Sequence, residues 1–427
     1  MNKLRRNRLT AAVHLTLLLA LPGIAVAQDN QEENTLDTIS ITGTRIKQTN
    51  AVTAQPVYVL DRAKIEESGV ASVGELLQQL SASGKALNAK FNSSGNFGYP
   101  PDGGGIGAGS AQVDLRNLGS QRVLVLVDGI RWVNESSASG VSGSADLNTI
   151  PLAIVERIEV LEDGASAIYG SDAIAGVVNI ITRKNFEGAE VRTYYGEYSR
   201  GGETKDASFT FGTGGDGWTA ILGATYYEQE EISSGSWGQS SFPVPGGGLD
   251  FGSSGTPQGR YRFTDPGGTS YNITLNPGTT TPVFVLGNPN GGTYNQFDSS
   301  DRFNFAPFNL LLTPSERKSL FASINIDLSE NTRLHIKGMF NNRQSTNQAA
   351  PEPIFVGPGA GTGGIADTIS IPANHPFNPF GFALDANTNF LFIGRRPVEV
   401  GARLFEQNVD TWYFNAGLDG LIDFGDR

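Results

Sequence analysis

Hydrophobic and polar residues alternate with a period of two through much of the chain beyond Asn185, which predicts β-strands with one apolar and one polar face. In SLFASINIDLSENTRLHIKGMF (319–340), every second residue from Leu320 to Leu328 is apolar, and the alternation resumes after the short turn SENT. The pattern returns over 398–404 and 412–418. Strands of about ten residues with one apolar face are typical of transmembrane barrels. We therefore expect the polar side of the first two strands to face a barrel interior, through Ser323, Asn325, Asp327, Arg333, His335 and Lys337.

The connections between these strands alternate between tight and long. GTGGDG (212–217) and SENT are short, whereas 228–303 and 344–396 are long and rich in Gly, Pro and Ser. Short turns at one end and long loops at the other are typical of outer-membrane barrels. A soluble β-sandwich would also explain the alternation, but loops of this length with no structure of their own are rare in such folds.

Residues 56–184 differ from the rest because their pattern mixes helix and strand. The predicted elements are a strand followed by a helix in YVLDRAKIEESG (58–69), a helix over 73–80, a hairpin around an Asp-Gly turn in SQRVLVLVDGIRWV (120–133), a strand over 154–161, a one-turn helix over 165–169 and a strand over 175–182. Gly164, Gly170 and Gly176 are expected to supply turns and close approaches that a β-carbon would block.

The first 27 residues have the features of a cleaved secretory signal. A basic start with Lys3 and Arg5 precedes an apolar stretch over 9–24, and Ala25-Val26-Ala27 is a small-residue cleavage site. The predicted organisation is a signal peptide over 1–27, a polar leader over 28–55, a mixed domain over 56–184 and a strand-rich region over 185–427.

Composition and charge exclude several classes of function. The chain has no Cys and only three widely separated His, so we predict neither a metal site nor a cofactor. A net charge of −12 argues against nucleic acid as a partner. A secreted hydrolase would need paired carboxylates such as Asp298 and Asp301, which lie in an Asn- and Gly-rich stretch where acids are usually solvated.

Several longer segments resemble a known family, the TonB-dependent outer-membrane receptors. The central and C-terminal plug signatures are similar to VDLRNLGSQRVLVLVDGIRWV (113–133), IPLAIVERIEVLEDGASAIYG (150–170) and SDAIAGVVNIITRK (171–184). FNLLLTPSERKSLFASI (308–324) and IPANHPFNPFG (371–381) resemble segments of large proteobacterial receptors of unassigned substrate. The resemblance implies an α+β plug domain followed by antiparallel transmembrane β-barrel strands. Because we count about eight of roughly 22 strands, we expect a truncated copy.

The resemblance also implies a function, which is energised uptake of a scarce ligand such as a siderophore, vitamin, haem or oligosaccharide. The expected protein is not an enzyme and lies in the outer membrane. Its expected partners are the TonB energy transducer, the small-molecule ligand and outer-membrane lipid. The alternative is an outer-membrane adhesin or structural β-protein, which would not need plug signatures or a TonB box.

Three groups of site residues follow from the resemblance. The first is a TonB box at DTISIT in the leader, formed by Asp37, Thr38, Ile39, Ser40, Ile41 and Thr42. The second is a set of plug residues expected to pair with barrel acids, namely Arg116 and Arg157, extended by Glu159; Glu162 departs from the family pattern, which is often basic there. The third is a set of ligand-facing plug-loop residues, Tyr99, Asp102, Asn134 and Glu135.

Overall fold

The structure is a computed structural model that describes residues 57–84, 109–135 and 143–420. The TonB box, the leader, Tyr99 and Asp102 lie outside these ranges. No helix within them is long and apolar enough to cross a membrane.

The described residues from 57 to 184 form an α+β unit, here called the N-terminal unit. Its elements are β1 (Val57–Leu60), α1 (Arg62–Glu67), α2 (Val73–Gln78), β2 (Val123–Val127), β3 (Ile130–Arg131), β4 (Val155–Leu161), α3 (Ser166–Tyr169) and β5 (Gly176–Thr182). They form one sheet in the order β1-β4-β5-β2-β3, in which only β2 and β5 run parallel. Both strands are almost continuously apolar because helices and loops cover both of their faces.

Local chemistry explains the ends of these elements. Helices α1 and α2 begin after Asp61 and Ser72, whose side chains accept hydrogen bonds from the first-turn backbone. The β2–β3 hairpin turns at Asp128 and Gly129, which both have positive φ, 49° and 81°. At Gly176, with φ 147°, a β-carbon would collide with the Leu161 carbonyl of the neighbouring strand, so only glycine fits there.

Strands make up most of the remaining chain. They are β6 (Gly188–Glu197), β7 (Glu203–Gly215), β8 (Trp218–Gln229), β9 (Ile232–Ser233), β10 (Arg260–Thr264), β11 (Ser270–Leu275), β12 (Tyr294–Gln296), β13 (Leu310–Leu312), β14 (Ser315–Ser329), β15 (Thr332–Ala349), β16 (Ile354–Val356), β17 (Phe390–Arg395) and β18 (Arg403–Gly420). Short 3-10 helices lie between elements at Ser120–Arg122, Leu147–Thr149, Leu152–Ile154, Ser171–Ala173, Ser234–Ser236, Ser299–Asp301, Ala306–Phe308, Pro358–Ala360, Ile365–Thr368 and Val398–Val400.

Six long strands form one antiparallel sheet, here called the wall sheet, in the order β18-β15-β14-β8-β7-β6. Tight turns join β7 to β8 and β14 to β15 at one end. At the other end a short connection joins β6 to β7, and long connections follow β8 and β15. Strands β6 and β18 are the sheet's edges and do not pair with each other. Six strands rather than about eight therefore belong to this sheet.

The long connections are not structureless, which corrects the expectation from their composition. Strands β10, β11, β12, β16 and β17 form a separate five-stranded sheet, here called the loop sheet, in the order β12-β11-β10-β17-β16. It has its own aromatic core, with Phe263, Tyr271, Tyr294 and Phe390 buried. The strand expected over 398–404 is also wrong at its start, because a 3-10 turn and Gly401 at φ 90° precede β18.

The predicted fold class is confirmed. An α+β unit is followed by antiparallel strands that form part of a barrel and do not close it.

Candidate functional site

The N-terminal unit packs against one face of the wall sheet, and the two faces differ in an unusual way. On β14 the residues that face the unit are buried and mostly polar, including Arg317, Ser319 and Ser323. The alternate residues are apolar and exposed, with Leu320 60% exposed. On β18, Trp412 is 75% exposed on the same outer face. This is the reverse of a water-soluble sheet, and it matches a wall with lipid outside and a polar interior.

An ion pair joins the N-terminal unit to β15 at the centre of this contact. The carboxylate of Asp146 precedes the 3-10 helix Leu147–Thr149, and its Oδ1 accepts hydrogen bonds from the backbone N–H groups of Ala111 and Asn148, both 2.9 Å. Its Oδ2 lies 2.8 Å from Nε of Arg343. The side chains of Asp146 and Arg343 are 2% and 0% exposed, so no bulk water screens the pair.

A second buried arginine lies beside the first. Arg317 is the direct cross-strand partner of Arg343, so two guanidinium groups face the N-terminal unit side by side. Arg317 Nη1 donates to Asn148 Oδ1 at 2.7 Å, and its guanidinium lies 3.5 Å from the Tyr227 ring centroid. Like charges at paired positions repel, so this arrangement depends on the acids and dipoles that the unit supplies.

A group of hydrogen-bonded polar side chains lies inside the N-terminal unit, and the charges of this ion pair act on it. Gln112 donates to Glu135 Oε1 at 2.6 Å, and Gln112 Oε1 accepts from Ser120. Burial, and next the negative charge of Asp146, raise the pKa of Glu135 to about 7. Glu135 is therefore expected to exchange its proton near neutral pH, within reach of the charges of Asp146 and Arg343.

Further charged contacts lie closer to the tight turns. Lys337 of β15 contacts Asp128 and Thr182, and Asp128 also accepts from the Thr182 backbone at 2.9 Å. Arg62 and Arg183 of the N-terminal unit lie 3.4 Å and 3.2 Å from Glu190 of β6. In the middle of the wall sheet, cations of the sheet thus pair with acids of the N-terminal unit. At the β6 edge the charges are exchanged, because arginines of the unit pair with an acid of the sheet.

Small cavities lie between the unit and the wall. One of about 30 Å³ is lined by polar groups that include Arg192, Asp206, Arg317 and Asn341. Another of about 10 Å³ lies beside Lys337. The larger is of a size that holds water, and its lining offers the polar partners that a buried water needs. The contact is therefore not a continuous apolar core, although Phe321 and Met339 of the wall join the core of the unit.

The structure gives the predicted ion-pairing residues different partners. Arg116 has φ 57° and donates to the carbonyl of Ala175 at 3.1 Å. Arg157 donates to Glu159 at 2.9 Å, because residues two apart on a strand lie on one face. Among the described contacts both arginines thus find partners inside the N-terminal unit, and not the barrel acids that we expected.

The predicted ligand-facing residues separate into two kinds. Asn134 is exposed and bridges to Ala145. Glu135 is only 7% exposed, which contradicts the expectation that it faces a ligand. The reason is that its backbone N–H donates to Ser144 at 2.8 Å, which turns the side chain toward Gln112.

Of the polar residues predicted to line the interior, Lys337 contacts the N-terminal unit. Arg333 pairs with Asp327 at 2.5 Å, and His335 lies 3.2 Å from Asp419, all within the wall sheet. The functional residues that the sequence reasoning missed are Asp128, Asp146, Arg317 and Arg343. A signal for Arg343 existed, since the alternation from Arg333 to Met339 continues inward to it.

The carboxylates considered for hydrolysis have a structural role. Asp298 accepts from the Ser300 backbone, and Asp301 accepts from the Asp298 backbone, so the two cap a 3-10 helix. No group of three or more His, Cys, Asp or Glu in the described part of the chain could hold a metal ion.

Comparison with known proteins finds a family match for the N-terminal unit. Residues 49–177 match the family model described as TonB-dependent Receptor Plug Domain, which agrees with the predicted family, whose members are transporters rather than enzymes. Three solved structures are similar. A variant of the ferric enterobactin receptor PfeA of Pseudomonas aeruginosa, in complex with enterobactin, has 16% identity and a TM-score of 0.43 over 69% of this chain and 34% of that chain. The siderophore receptor PirA of Acinetobacter baumannii has 17% identity and a TM-score of 0.37 over 69% and 40%. The ferric citrate transporter FecA has 13% identity and a TM-score of 0.35 over 71% and 42%. The chain thus spans between 34% and 42% of the length of these three structures.

Proposed function

Because this chain is a TonB-dependent receptor by its plug domain, we propose that it serves energised uptake of a scarce ligand across the outer membrane. The observation that carries the proposal is the position of the plug, the N-terminal unit, on the polar face of a sheet whose opposite face is apolar. A plug in that place blocks a polar lumen until it moves.

The outer face of the wall sheet supports a place in the outer membrane. On β14 the apolar positions run from Leu320 to Leu328, a length of about 26 Å at a rise of roughly 3.3 Å per residue. The apolar belt of outer-membrane barrels is about 25 Å tall. Above the belt the outward residues become polar, with Lys318, Asn342 and Asp410 in register on neighbouring strands.

The contacts between plug and wall suit a plug that moves. Asp146 with Arg343, Asp128 with Lys337 and Asn148 with Arg317 are interactions that water can replace when the surfaces part. The cavity beside Arg317 gives water a place at this contact already. A wholly apolar contact of the same area would resist separation far more strongly.

The TonB box at residues 37–42 is proposed to transmit the energy for this movement. An extended segment binds a partner strand through its backbone. The leader continues into β1, an edge strand of the plug sheet that pairs through four residues with β4 and with no other strand of the described sheet. A force on the leader would therefore act first on the β1–β4 pair.

The ligand is proposed only as a class, namely a siderophore, vitamin, haem or oligosaccharide. Export through a signal peptide over residues 1–27 is part of the proposal. The alternative is an adhesin or structural β-protein. Neither function requires a plug whose polar contacts with the wall sheet water can replace.

A TonB-binding experiment tests the proposal. The purified chain is titrated with the periplasmic domain of TonB, and Ile39→Pro, which removes a backbone donor from the box, is compared with the conservative Ile39→Val. We expect binding to be lost with proline and kept with valine. Equal TonB binding by all three proteins would contradict the assignment of the box. In a receptor that contains this chain, deletion of residues 37–42 should stop uptake, whereas adhesion by an adhesin would survive.

A further inference from the structure

A carboxylate of the wall sheet binds two arginines of the plug, close to the point where the plug continues into the wall. Glu190 is half-buried on β6, the first strand of the wall sheet. Arg183, which directly follows β5, contacts both carboxylate oxygens of Glu190 at 3.2 and 3.3 Å. Arg62, the first residue of α1, lies 3.4 Å from the same carboxylate. These three residues are here called the Glu190 anchor.

Within the anchor, Arg183 fixes the position of the carboxylate. Its guanidinium lies 4.0 Å from the Phe186 ring centroid, and its backbone N–H donates to the Ile154 carbonyl at 2.8 Å. The side chain of Arg183 is only 11% exposed. Several hydrogen bonds from one guanidinium to one carboxylate hold both groups in a fixed geometry. Glu190 is therefore in place to bind a second cation from another part of the plug.

Arg62 is that second cation, and it connects three elements. Its Nη1 donates to the carbonyl oxygens of Leu152 and Val155 at 3.3 and 3.0 Å, and its Nη2 donates to Glu190 at 3.4 Å. Its Nε donates to Glu66 of the same helix at 2.8 Å. The side chain of Arg62 is 16% exposed, so water weakens these contacts little. One guanidinium thus joins α1, the start of β4 and the wall sheet.

The segment around Arg62 has few other attachments. β1 pairs with β4 through four residues, and only Leu60 among them is buried. In α1 the only buried side chain is Ile65. An edge strand that is pulled from its free end can open one pair at a time, and each step breaks few contacts. The contacts of Arg62 differ because they must break together before α1 can leave the plug.

We propose that Arg62 limits how far a pull on the leader unravels the plug. The pull opens β1 and then reaches Arg62, which passes it to β4 and, through Glu190, to the wall sheet. The elements that follow α1 therefore move together and do not unravel one after another. This inference rests on the proposed function, because the proposed pull acts on the leader. Arg62 is a positioning residue, since it acts through the elements that it holds.

Pulling on single molecules tests this role. The chain has no Cys, so Asn34→Cys in the leader gives one attachment point for an atomic-force tip, with the chain in a supported lipid bilayer. We expect β1 to open first and the extension then to stop at Arg62. In Arg62→Gln the stop should last about tenfold less time at equal force, because charge-assisted hydrogen bonds are lost.

The length that is released before the stop should also change in Arg62→Gln. The next residue with a hydrogen bond to the wall in the described part of the chain is Val70, whose carbonyl accepts from Arg192 of β6 at 3.3 Å. The stop should therefore move by about eight residues, or about 28 Å at roughly 3.5 Å per residue. A general loss of stability would lower the force of every rupture without moving the stop.

Lys64→Gln is the matched control. Lys64 is a cation of the same helix, but it contacts Val59 and Asp61 within the plug. Its replacement should leave the position of the stop unchanged and its lifetime within about twofold. Arg62→Lys should keep part of the lifetime, because the charge remains without the fork. Glu190→Gln should shorten the lifetime, and adding Arg62→Gln to it should shorten the lifetime little further, because the two residues share one contact.

Two results would overturn the proposal. One is a wild-type chain that shows no stop after β1 opens, and the other is a stop of unchanged position and lifetime in Arg62→Gln. The heat-modifiable mobility of the folded protein on gels checks that each variant is folded before it is pulled. Since neither TonB nor uptake enters this experiment, failure here leaves the proposed function standing, whereas failure of TonB binding would not move the stop.

Discussion

Arg343 and Asp146 depend on each other because neither has access to bulk water. Arg343 also donates to Ser345 at 2.7 Å, and Asp146 accepts two backbone hydrogen bonds, so both side chains are held in place before they meet. The pair is therefore preorganised from both sides of the contact. The alternation of β15 places Arg343 inward, but its partner lies in a distant segment, and no sequence pattern joins the two.

Removing one partner of this pair should be costly. Asp146→Asn keeps the shape and the acceptor oxygen but leaves Arg343 buried without a counterion, which is expected to cost about 3–5 kcal/mol of unfolding free energy. Urea unfolding in detergent, followed by tryptophan fluorescence, measures this loss of unfolding free energy. The double variant Asp146→Asn with Arg343→Gln should recover part of the loss.

The matched control for that experiment is Asp327→Asn, which breaks the solvent-exposed pair with Arg333. Exposed pairs contribute about 0–1 kcal/mol, so this variant should unfold almost like the wild type. Equal losses from Asp146→Asn and Asp327→Asn would show that the contact between plug and wall is open to water.

Glu135 gives the plug a dependence on pH. Its folded pKa of about 7 lies above the ordinary value of 4.5, so the folded state binds the proton more tightly than the unfolded state. The contribution of Glu135 to stability is therefore full below about pH 4.5 and is lost as the pH rises through about 7. The wild type should lose at most roughly 3 kcal/mol of unfolding free energy over this pH range. Glu135→Gln has no charge to gain, so its unfolding free energy should not show this fall. Unfolding curves between about pH 5 and pH 8 measure the difference, and parallel pH profiles for the two proteins would refute the assignment.

At the scale of the elements, the alternation of residue types predicts the wall strands well. It assigns the faces of β14 and β15 and the outward row on β18, because a period of two is a local property that needs no knowledge of the partner strand. The loop sheet could not be predicted in this way. Its strands are three to six residues long, and β10 pairs with β17 although β14 and β15 of the wall sheet lie between them in the sequence. Short strands that pair at long range leave little pattern in a Gly- and Pro-rich sequence.

The outer face of the wall sheet makes a prediction about membrane insertion. Ile324 is an outward residue near the middle of the apolar belt on β14, where an arginine costs about 2–4 kcal/mol in lipid. Ile324→Arg should therefore reduce the fraction of protein that folds into lipid vesicles. The heat-modifiable mobility of the folded protein on gels measures this fraction. Gln344→Arg is the control, since Gln344 is exposed on the polar part of β15 above the belt. If both substitutions reduce insertion equally, the belt does not lie in lipid.

At the scale of the whole molecule, the plug covers the polar face of the wall, and their contact combines charged pairs with a small polar cavity. The family and the division into plug and strands follow from the sequence, because the plug signatures are local. The sequence does not reveal which side of the contact carries the acids and which carries the cations, because this depends on how the plug and the wall sheet pack together. We expected arginines of the plug to pair with acids of the barrel. The middle of the wall shows acids of the plug, Asp128 and Asp146, with cations of the strands.

Because the chain contains no Cys, a single engineered thiol can report whether the plug stays in place. Ser319 lines the cavity between plug and wall and is almost fully buried, so Ser319→Cys should react slowly with a maleimide that is larger than the cavity of about 30 Å³. Gln344→Cys, on the exposed outer side, should react at once. A further variant combines Ser319→Cys with Asp128→Asn and Asp146→Asn, and so removes both acids that hold the plug to the strands. Its labelling should be about tenfold faster or more, because each lost ion pair favours the state in which the plug has separated from the wall sheet. If Ser319→Cys alone reacted as fast as Gln344→Cys, the plug would not be held against the wall, and transport by its regulated release would have no structural basis.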